Sequence, residues 1–311
     1  MNKFKSFLFG MTASSTFGLL PLFTLPIMSE GLTTNSILCY RMLFASALVA
    51  VLMQVRKIAF RTNLRELLWF AFLGFFYYGS ASLLFQAYGT MSSGMATTLH
   101  FLYPVGVTLI MALVFKQRPS PFTILAIILG LSGVALLSLK EGGGSSSASL
   151  VGILLVLLSG LSYAAYLVTM NNVRRVRESN NLKLTLYVLI FSALFFLLDT
   201  SLSGGLQMIP SGRALTNLLL LAFLPTLVSN LALVRAVKSI GSTLTSVLGA
   251  MEPLTAIVIG VVVFGEEVTG PMALGILLIL LSVTIIVLSP LLDKNIADRL
   301  SRLSKRPIRR Q

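Results

Sequence analysis

Long apolar runs separated by short polar connectors dominate the chain. Ten of these runs are roughly 17 to 25 residues long, which is the length that a helix needs to cross the hydrocarbon core of a bilayer. We number them segments 1 to 10, and each predicts a transmembrane helix. Their approximate bounds are 7–28, 36–54, 66–88, 94–115, 122–139, 150–172, 183–200, 213–235, 243–264 and 270–289.

The composition favours an all-α membrane protein over a soluble domain. Hydrophobic residues make up 56% of the 311 residues and charged residues 11%, about half the charged fraction of a soluble domain. The one cysteine, Cys39, excludes an internal disulfide and a multi-cysteine metal site. Segment 1 is longer than a signal-peptide core, and no small-residue cleavage site follows it, so we expect it to be retained.

The positive charge lies on one side of the predicted bundle. A net charge of +14 could suggest a nucleic-acid partner, but 21 of the 24 Lys and Arg residues fall in or beside cytoplasmic segments if the N-terminus is cytoplasmic. This positive-inside pattern predicts a multi-pass protein of the plasma membrane, in a bacterium the inner membrane, with both termini in the cytoplasm and no nucleic-acid partner. The basic tail, 290–311, is expected to contact anionic lipid, although a simple anchoring role explains it equally well.

The two halves of the chain contain an internal repeat. With a constant offset of 149, "YPVGVTLIMALVFKQ" aligns without a gap with "EPLTAIVIGVVVFGE". Pro104 then meets Pro253, and Tyr103 takes the place of Glu252. Repeats of this length are a typical feature of transporter folds.

The repeat predicts the domain organisation. Nearer the start of each half the best offset is 147, which pairs Tyr40 with Tyr187. Residues 1–139 (segments 1 to 5) therefore predict one repeat and 150–289 (segments 6 to 10) the other, joined by a flexible Gly- and Ser-rich linker at 140–149. Because each repeat has an odd number of crossings, the second repeat is inverted relative to the first.

Two prolines lie near the middle of the bilayer. Pro104 and Pro253 are roughly 15 Å into segments 4 and 9 at 1.5 Å per residue. A proline removes one helical hydrogen bond, which would free the carbonyls of His100 and Gly249. Such groups are tolerated at that depth only against protein or a wet cavity. Their recurrence at equivalent positions favours functional helix breaks over harmless kinks.

Three stretches of sequence carry a resemblance to a known family. They are "CYRMLFASAL" (39–48), with Arg41 early in segment 2, "YPVGVTLIMALVFKQ" (103–117) and "EPLTAIVIGVVVFGEEVTGPMALGILLIL" (252–280). On these stretches, the chain resembles the EamA-type transporters of the drug/metabolite transporter superfamily over nearly its whole length.

The resemblance implies ten transmembrane helices, arranged as two inverted five-helix repeats around a central cavity. Such a protein would move small metabolites such as amino acids by alternating access. Segments 1, 3, 4, 6, 8 and 9 would line the cavity, and segments 2, 5, 7 and 10 would be more peripheral. Two positions depart from the family: Phe17-Gly18 replaces Trp-Gly, and Gln117 replaces an acidic residue, which weakens any functional symmetry of the halves.

Polar side chains recur at helical spacing on the segments that the resemblance assigns to the cavity. Segments 5, 7 and 10 are almost wholly apolar between their ends. Hydrogen bonding between helices is an alternative role for each hydroxyl residue. The predicted substrate-binding residues are Tyr78, Ser82, Gln86, Thr97, His100, Tyr103, Tyr163, Tyr166, Asn230, Thr245 and Glu252.

Three ionisable residues lie inside the predicted segments. Glu252 is the deepest, and it has three open interpretations: it binds a substrate amino group, it carries a coupling proton, or it only hydrogen-bonds across the helix interface. Arg41 is expected mainly to snorkel outward or to pair with a helix carbonyl. For His100 a structural hydrogen bond and a substrate contact both stay open.

The motifs of enzymes are missing from the sequence. There is no P-loop, metal-ligand spacing, dinucleotide turn or nucleophile elbow, so we expect neither catalysis nor a cofactor. The sequence predicts a secondary transporter, an exporter or a facilitator, for an amphipathic or aromatic solute. A channel or a lipid scramblase is the alternative, because a polar-lined bundle can form either.

Overall fold

The computed structural model is helical throughout the part of the chain that it describes, with no strand there. The described residues are 3–88, 90, 96, 99–117, 119–138, 150–264, 270–271, 273–286 and 288. The predicted linker 140–149, the basic tail 290–311 and Thr97 lie outside them. Their predicted roles therefore stay predictions.

Six helical stretches of the described residues, in segments 1, 2, 3, 6, 7 and 8, are at least 18 residues long and apolar enough to cross a membrane. Those of segments 1 and 8 contain irregular turns. The other apolar segments form shorter or broken helices. A short additional helix, Arg174–Glu178, joins segments 6 and 7. The uninterrupted helices of segments 2, 3, 5, 6 and 7 are Thr34–Val55, Leu64–Tyr88, Pro121–Ser138, Leu150–Asn172 and Asn181–Leu202, and segment 10 contains Ala273–Ile286.

Segment 1 is divided near its middle. Its first helix, Lys3–Phe17, ends at a turn over Gly18 and Leu19, and the second helix, Leu20–Ser29, continues the segment. The Gly18 N–H still bonds to the Ser14 carbonyl at 3.0 Å. The turn therefore redirects the segment without leaving the Gly18 amide unpaired.

Segment 8 contains a π-helical turn at Phe223–Val228, which includes Pro225. Proline has no N–H for the regular helical bond, and a wider turn is one way to accommodate its ring. The helices on either side of this turn are Gly212–Ala222 and Ser229–Ile240.

Segments 4 and 9 break at equivalent places. The chain leaves the α-helix at 101–102 in segment 4 and at 249–250 in segment 9. Helices resume as Tyr103–Leu113 and Met251–Phe264, and Pro104 and Pro253 lie in their first turns. The helix breaks therefore occur where the two prolines predict them.

The break in segment 9 corrects one expectation. The carbonyl of Gly249 is not free, because it accepts a hydrogen bond from the Glu252 N–H at 2.9 Å. Tighter bonds between residues three apart replace the regular helical bonds at both breaks, as from Leu102 N–H to the Leu99 carbonyl and from Ala250 N–H to the Val247 carbonyl, each 3.1 Å.

Segments 5 and 10 cross at two contacts, and the sequence offset of 149 relates each contact to the other. A Cβ added to Gly130 would lie 3.1 Å from Ser282 Oγ, and one added to Gly133 would lie 2.8 Å from Ile279 Cγ1. With this offset, the position equivalent to Gly130 is Ile279 and the position equivalent to Gly133 is Ser282. The close crossing depends on both glycines because neither has a side chain.

Two tyrosines hold connectors of the opposite half. The Tyr40 hydroxyl of segment 2 donates to the Gln207 carbonyl at 2.8 Å, and the Tyr187 hydroxyl of segment 7 donates to the Phe60 carbonyl at 2.7 Å. Both the tyrosines and their partners are related by the offset of 147. The same bond is therefore made once in each direction between the halves.

The packing of the segments has a buried interior and an apolar exterior. Segment 3 packs against segment 6, segment 1 against segments 8 and 9, segment 4 against segment 6, and segment 2 against segment 7. Large apolar side chains such as Ile128, Leu154, Leu158 and Leu198 are exposed. An exterior this apolar suits lipid better than water.

Candidate functional site

A small, partly enclosed cavity lies where the broken segments meet. Its volume is about 10 Å³, which is room for about one water molecule. The lining residues come from segments 1, 3, 4, 6, 8 and 9, the six that the family resemblance assigns to a cavity. They are Ala13, Ser14, Phe17, Tyr77, Tyr103, Tyr163, Leu167, Ser229, Asn230, Leu233, Thr245 and Glu252.

Glycine 18 brings segment 1 directly against the backbone of segment 9. A Cβ at this position would lie 2.5 Å from the Glu252 carbonyl oxygen and 2.8 Å from Thr255 Cβ. The neighbouring Phe17 is thereby placed in the cavity wall. The Phe17-Gly18 departure from the family pattern thus marks a contact between the two predicted halves.

A second close contact joins segments 4 and 9. The Tyr103 hydroxyl occupies the space where a side chain of Gly249 would begin. Tyr103 is buried, and its ring meets the Tyr163 ring edge-on with 4.8 Å between the centroids. This leaves Tyr103 and Glu252, which the sequence repeat pairs, in the lining of the same cavity.

Tyrosines form one wall of the site. Behind Tyr163, the Tyr166 ring stacks at 5.9 Å, and Tyr77 lies 5.4 Å from Tyr166. Tyr166 is almost fully buried and supports the wall without lining the cavity. Aromatic rings and phenolic hydroxyls together suit an amphipathic ligand.

Asn230 connects segment 8 to segment 3. Its Nδ2 amide donates to the Tyr77 hydroxyl at 3.2 Å and to the Thr226 carbonyl at 2.8 Å. Thr245 lines the cavity from segment 9, and its hydroxyl donates to the Gly241 carbonyl at 2.7 Å. Both predicted residues are therefore at the cavity and fixed by hydrogen bonds.

Segment 3 presents Tyr77 to the cavity, whereas the sequence pattern selected Tyr78. The Tyr78 ring lies against Phe195 and Phe196 of segment 7, at 5.7 and 4.8 Å between ring centroids. Adjacent helical residues point about 100° apart. A choice between neighbouring tyrosines therefore selects different faces of the helix.

Other predicted residues of segment 3 also lie away from the cavity lining. Gln86 is exposed and donates from Nε2 to the Ser82 hydroxyl at 3.1 Å. These two residues share the helical face of Tyr78, which explains why all three are displaced together.

His100 makes a structural hydrogen bond. Its Nδ1 lies 3.1 Å from Ser159 Oγ, and that hydroxyl donates to the Ser80 carbonyl at 2.5 Å. Because the hydroxyl has one hydrogen, Ser159 must accept from His100, which places the proton on Nδ1. This chain of bonds ties segments 4, 6 and 3 together beside the cavity, but His100 does not line it.

Arg41 does not snorkel outward. Its side chain is 3% exposed, and its Nε donates to the Thr226 hydroxyl at 2.7 Å. The Thr226 hydroxyl in turn donates to the Leu221 carbonyl across the π-helical turn, at 2.8 Å. The Arg41 Cζ lies 5.2 Å from the centroid of the Phe17 ring. An inward position thus gives the guanidinium a hydroxyl acceptor and an aromatic face that the sequence did not reveal.

Five of the predicted residues line the cavity, and several lining residues were missed. Within the described part of the chain, no cluster of three or more His, Cys, Asp or Glu residues could hold a metal ion. Ser229 was missed, and its hydroxyl donates to the Ala13 carbonyl at 2.8 Å. The predicted residues that line the cavity are Tyr103, Tyr163, Asn230, Thr245 and Glu252.

Comparison with known proteins gives two sequence relatives of note. An uncharacterized transporter of Bacillus subtilis (strain 168), YcxC, is 31% identical over 167 residues. That alignment covers 51% of this chain and 49% of the relative, so the chain spans about half the length of that protein. An uncharacterized transporter of Synechocystis, sll1319, is 26% identical over 227 residues, which cover 71% of this chain and 67% of the relative.

The matches by fold and by family cover nearly the whole chain. A solved crystal structure, described only as that of a protein, matches with a TM-score of 0.79 at 20% identity, over 94% of this chain and 98% of that chain. The EamA-like transporter family matches residues 4–139 and 150–288. With its apolar helices, the chain belongs to the EamA-like transporter family and is a multi-pass membrane protein.

Proposed function

We propose that the protein is a secondary carrier, an exporter or facilitator, of small metabolites such as amino acids. The cavity between the two predicted halves carries this proposal. Six segments from both predicted halves enclose it, and its lining combines the Glu252 carboxyl, the Asn230 amide and the tyrosine wall. A carrier that alternates between inward-open and outward-open states needs such a polar site between its two halves.

The proposed architecture is two inverted repeats related by an axis in the membrane plane. The exchanged contacts of Gly130 and Gly133, and the paired bonds of Tyr40 and Tyr187, support a twofold relation because such an axis generates each contact twice. The two stretches that match the family, 4–139 and 150–288, also agree with this division.

The proposed membrane orientation follows the charge distribution. Both termini are cytoplasmic, and the connectors that carry Arg56, Arg61, Arg174 and Arg177 face the cytoplasm. Segment 1 then enters from the cytoplasmic side, and the connector at Gln207 lies on the outer side.

Solute entry requires the segments around the cavity to move apart. A volume of about 10 Å³ excludes an amino acid. The breaks of segments 1, 4 and 9 divide each of them into two parts that can tilt separately. Movement of these parts about the breaks opens the cavity to one side of the membrane at a time.

Glu252 binds the cationic group of the solute in this mechanism. Competition between that group and a proton for the same carboxyl would couple transport to the proton gradient. Flux that is indifferent to a pH gradient in either direction would contradict the coupling while leaving the carrier itself intact.

The proposal is tested by uptake of labelled amino acids and related metabolites into liposomes that contain the purified protein. A carrier gives saturable uptake that unlabelled solute inhibits and that solute inside the vesicle accelerates. Uptake that rises linearly with concentration would indicate a channel instead. Movement of labelled lipid between leaflets without solute uptake would indicate a scramblase.

Exchanging each of two neighbouring tyrosines for phenylalanine tests the cavity assignment. Tyr77→Phe removes the hydroxyl that accepts from Asn230, and we expect KM to rise about 2- to 10-fold, as for one hydrogen bond. Asn230 keeps its bond to the Thr226 carbonyl, so folding should change little. The matched control, Tyr78→Phe, should leave KM unchanged; an equal effect of both variants would contradict the assignment.

A further inference from the structure

Arg41 has an unused hydrogen-bond donor in the protein interior. Its Nε is bonded to Thr226, but Nη2 is buried and has no hydrogen-bond partner among the described residues. A buried charged donor without a partner is costly, and such groups are rare in native proteins. The unpaired Nη2 therefore points to a partner that binds only at some stage of the transport cycle.

Two contacts hold the guanidinium of Arg41 in place. Thr226 gives its own hydrogen to the Leu221 carbonyl, so its oxygen is fixed as the acceptor for Nε. The Arg41 Cζ also lies over the Phe17 ring, 5.2 Å from its centroid. One contact comes from the π-helical turn of segment 8 and the other from the break of segment 1, which are both irregular points of the fold.

The guanidinium lies next to the cavity. The Phe17 ring, 5.2 Å from its Cζ, lines the cavity together with Tyr77, Tyr163 and Glu252. This places a cation beside a site whose lining carries a carboxyl.

Arg41 and Glu252 do not form a direct ion pair. The ion pairs within 4.0 Å among the described residues are Arg174–Glu178 and Lys183–Glu66. Arg41 and Glu252 thus attract each other over a longer distance, and each keeps hydrogen-bonding capacity for a third group. A solute with one anionic and one cationic group would satisfy both.

We propose that Arg41 binds the anionic group of the transported solute while Glu252 binds its cationic group. This inference rests on the proposed carrier function and narrows the substrate to zwitterions such as α-amino acids. A guanidinium binds a carboxylate through two parallel hydrogen bonds, for which the free Nη2 is available. A zwitterion also adds no net charge to the membrane interior, where charge is expensive.

Three solutes that differ only in their charged groups test this selection. Phenylalanine has both charges, phenylalaninamide lacks the carboxylate, and 3-phenylpropionate lacks the amino group; the aromatic side chain suits the tyrosine wall. Each competes with the labelled solute that the wild type transports. Phenylalanine should compete at least about 10-fold better than either analogue, as expected for one charged hydrogen-bonded group.

Substitution of Arg41 then identifies the group responsible. In Arg41→Gln, the concentrations of phenylalanine and phenylalaninamide that inhibit uptake by half should lie within about 2-fold of each other. Arg41→Lys should restore part of the difference. The matched control is Arg235→Gln. Arg235 also lies over a phenylalanine ring, Phe9, at 5.2 Å, but Arg235 is exposed and Phe9, unlike Phe17, does not line the cavity. This control should discriminate as the wild type does.

The outcomes separate this inference from the proposed function. Equal competition by phenylalaninamide in the wild type, or full discrimination in a folded Arg41→Gln protein, would overturn the role of Arg41 while saturable transport still supports a carrier. If Arg41→Gln does not fold, the wild-type series and Arg41→Lys decide. Absence of saturable uptake or binding of every solute in the wild type would overturn both proposals.

Discussion

Glu252→Gln is expected to reduce saturable uptake about 100-fold or more while the protein stays folded. Truncating one partner of a buried charged pair typically costs about 2–5 kcal/mol, and a 100-fold loss corresponds to about 2.7 kcal/mol. Glutamine keeps the size of the side chain and one acceptor oxygen, but it has no charge to bind an ammonium group and cannot carry a coupling proton. Uptake at subsaturating solute in liposomes measures the loss.

A surface carboxylate provides the control for Glu252. Glu178 pairs with Arg174 at 2.8 Å, but its side chain is 58% exposed, and exposed pairs contribute little. Glu178→Gln should therefore transport like the wild type. Wild-type uptake by Glu252→Gln would show that Glu252 only hydrogen-bonds within the protein. Uptake that persists but no longer responds to a pH gradient would assign it the coupling role alone.

Gly18→Ala should disrupt the contact between segments 1 and 9 and abolish most of the uptake. The added methyl group would lie 2.5 Å from the Glu252 carbonyl oxygen, and a backbone atom cannot rotate away as a side chain can. We expect destabilisation by about 1–3 kcal/mol, as for other overpacked interiors. Thermal unfolding of the purified protein and uptake in liposomes measure the two effects.

The control for Gly18 is a glycine at the start of segment 8. A Cβ added to Gly212 has nothing within 4 Å, so Gly212→Ala should match the wild type in both measurements. A Gly18→Ala protein with the unfolding temperature and uptake of the wild type would show that segments 1 and 9 are not in close contact in the working protein.

The helices were predictable from the sequence because hydropathy and length identify apolar helices directly. The two breaks in segments 4 and 9 were also predictable, since proline cannot take part in regular helical bonding. The rotation of each helix about its own axis, which decides which side chains face the interior, was harder to predict. In a membrane protein, positions that face lipid and positions that face the interior are both apolar, so only a few polar residues indicate the inner face.

Tyr77 and Arg41 show the consequence of this uncertainty. Tyr78 begins a regular stripe of polar residues along segment 3, with Ser82 and Gln86, whereas Tyr77 has a single polar residue, Ser80, at helical spacing on its C-terminal side. Arg41 was expected to reach outward, as charged side chains near a helix end commonly do, or to pair with a helix carbonyl. The π-helical turn that brings Thr226 within 2.7 Å of Arg41 has no signature in a pattern based on 3.6 residues per turn.

Phe17 and Gly18 were noticed in the sequence as a departure from a family pattern, without a structural reason. The fold supplies one, since the phenylalanine borders the cavity and the glycine meets the backbone of Glu252. Both roles depend on contacts between distant parts of the chain. A single sequence does not reveal such contacts before the fold is known.

Access of a thiol reagent to the cavity from each side of the membrane tests the central claim most directly. With the buried Cys39 replaced by alanine, Thr245→Cys places a thiol in the cavity lining, and Ser246→Cys places one at a buried neighbour outside it. Alternating access predicts that a membrane-impermeant reagent modifies Thr245→Cys from either side, that saturating solute slows both reactions, and that Ser246→Cys stays unmodified. Modification of Thr245→Cys from one side only would contradict the account.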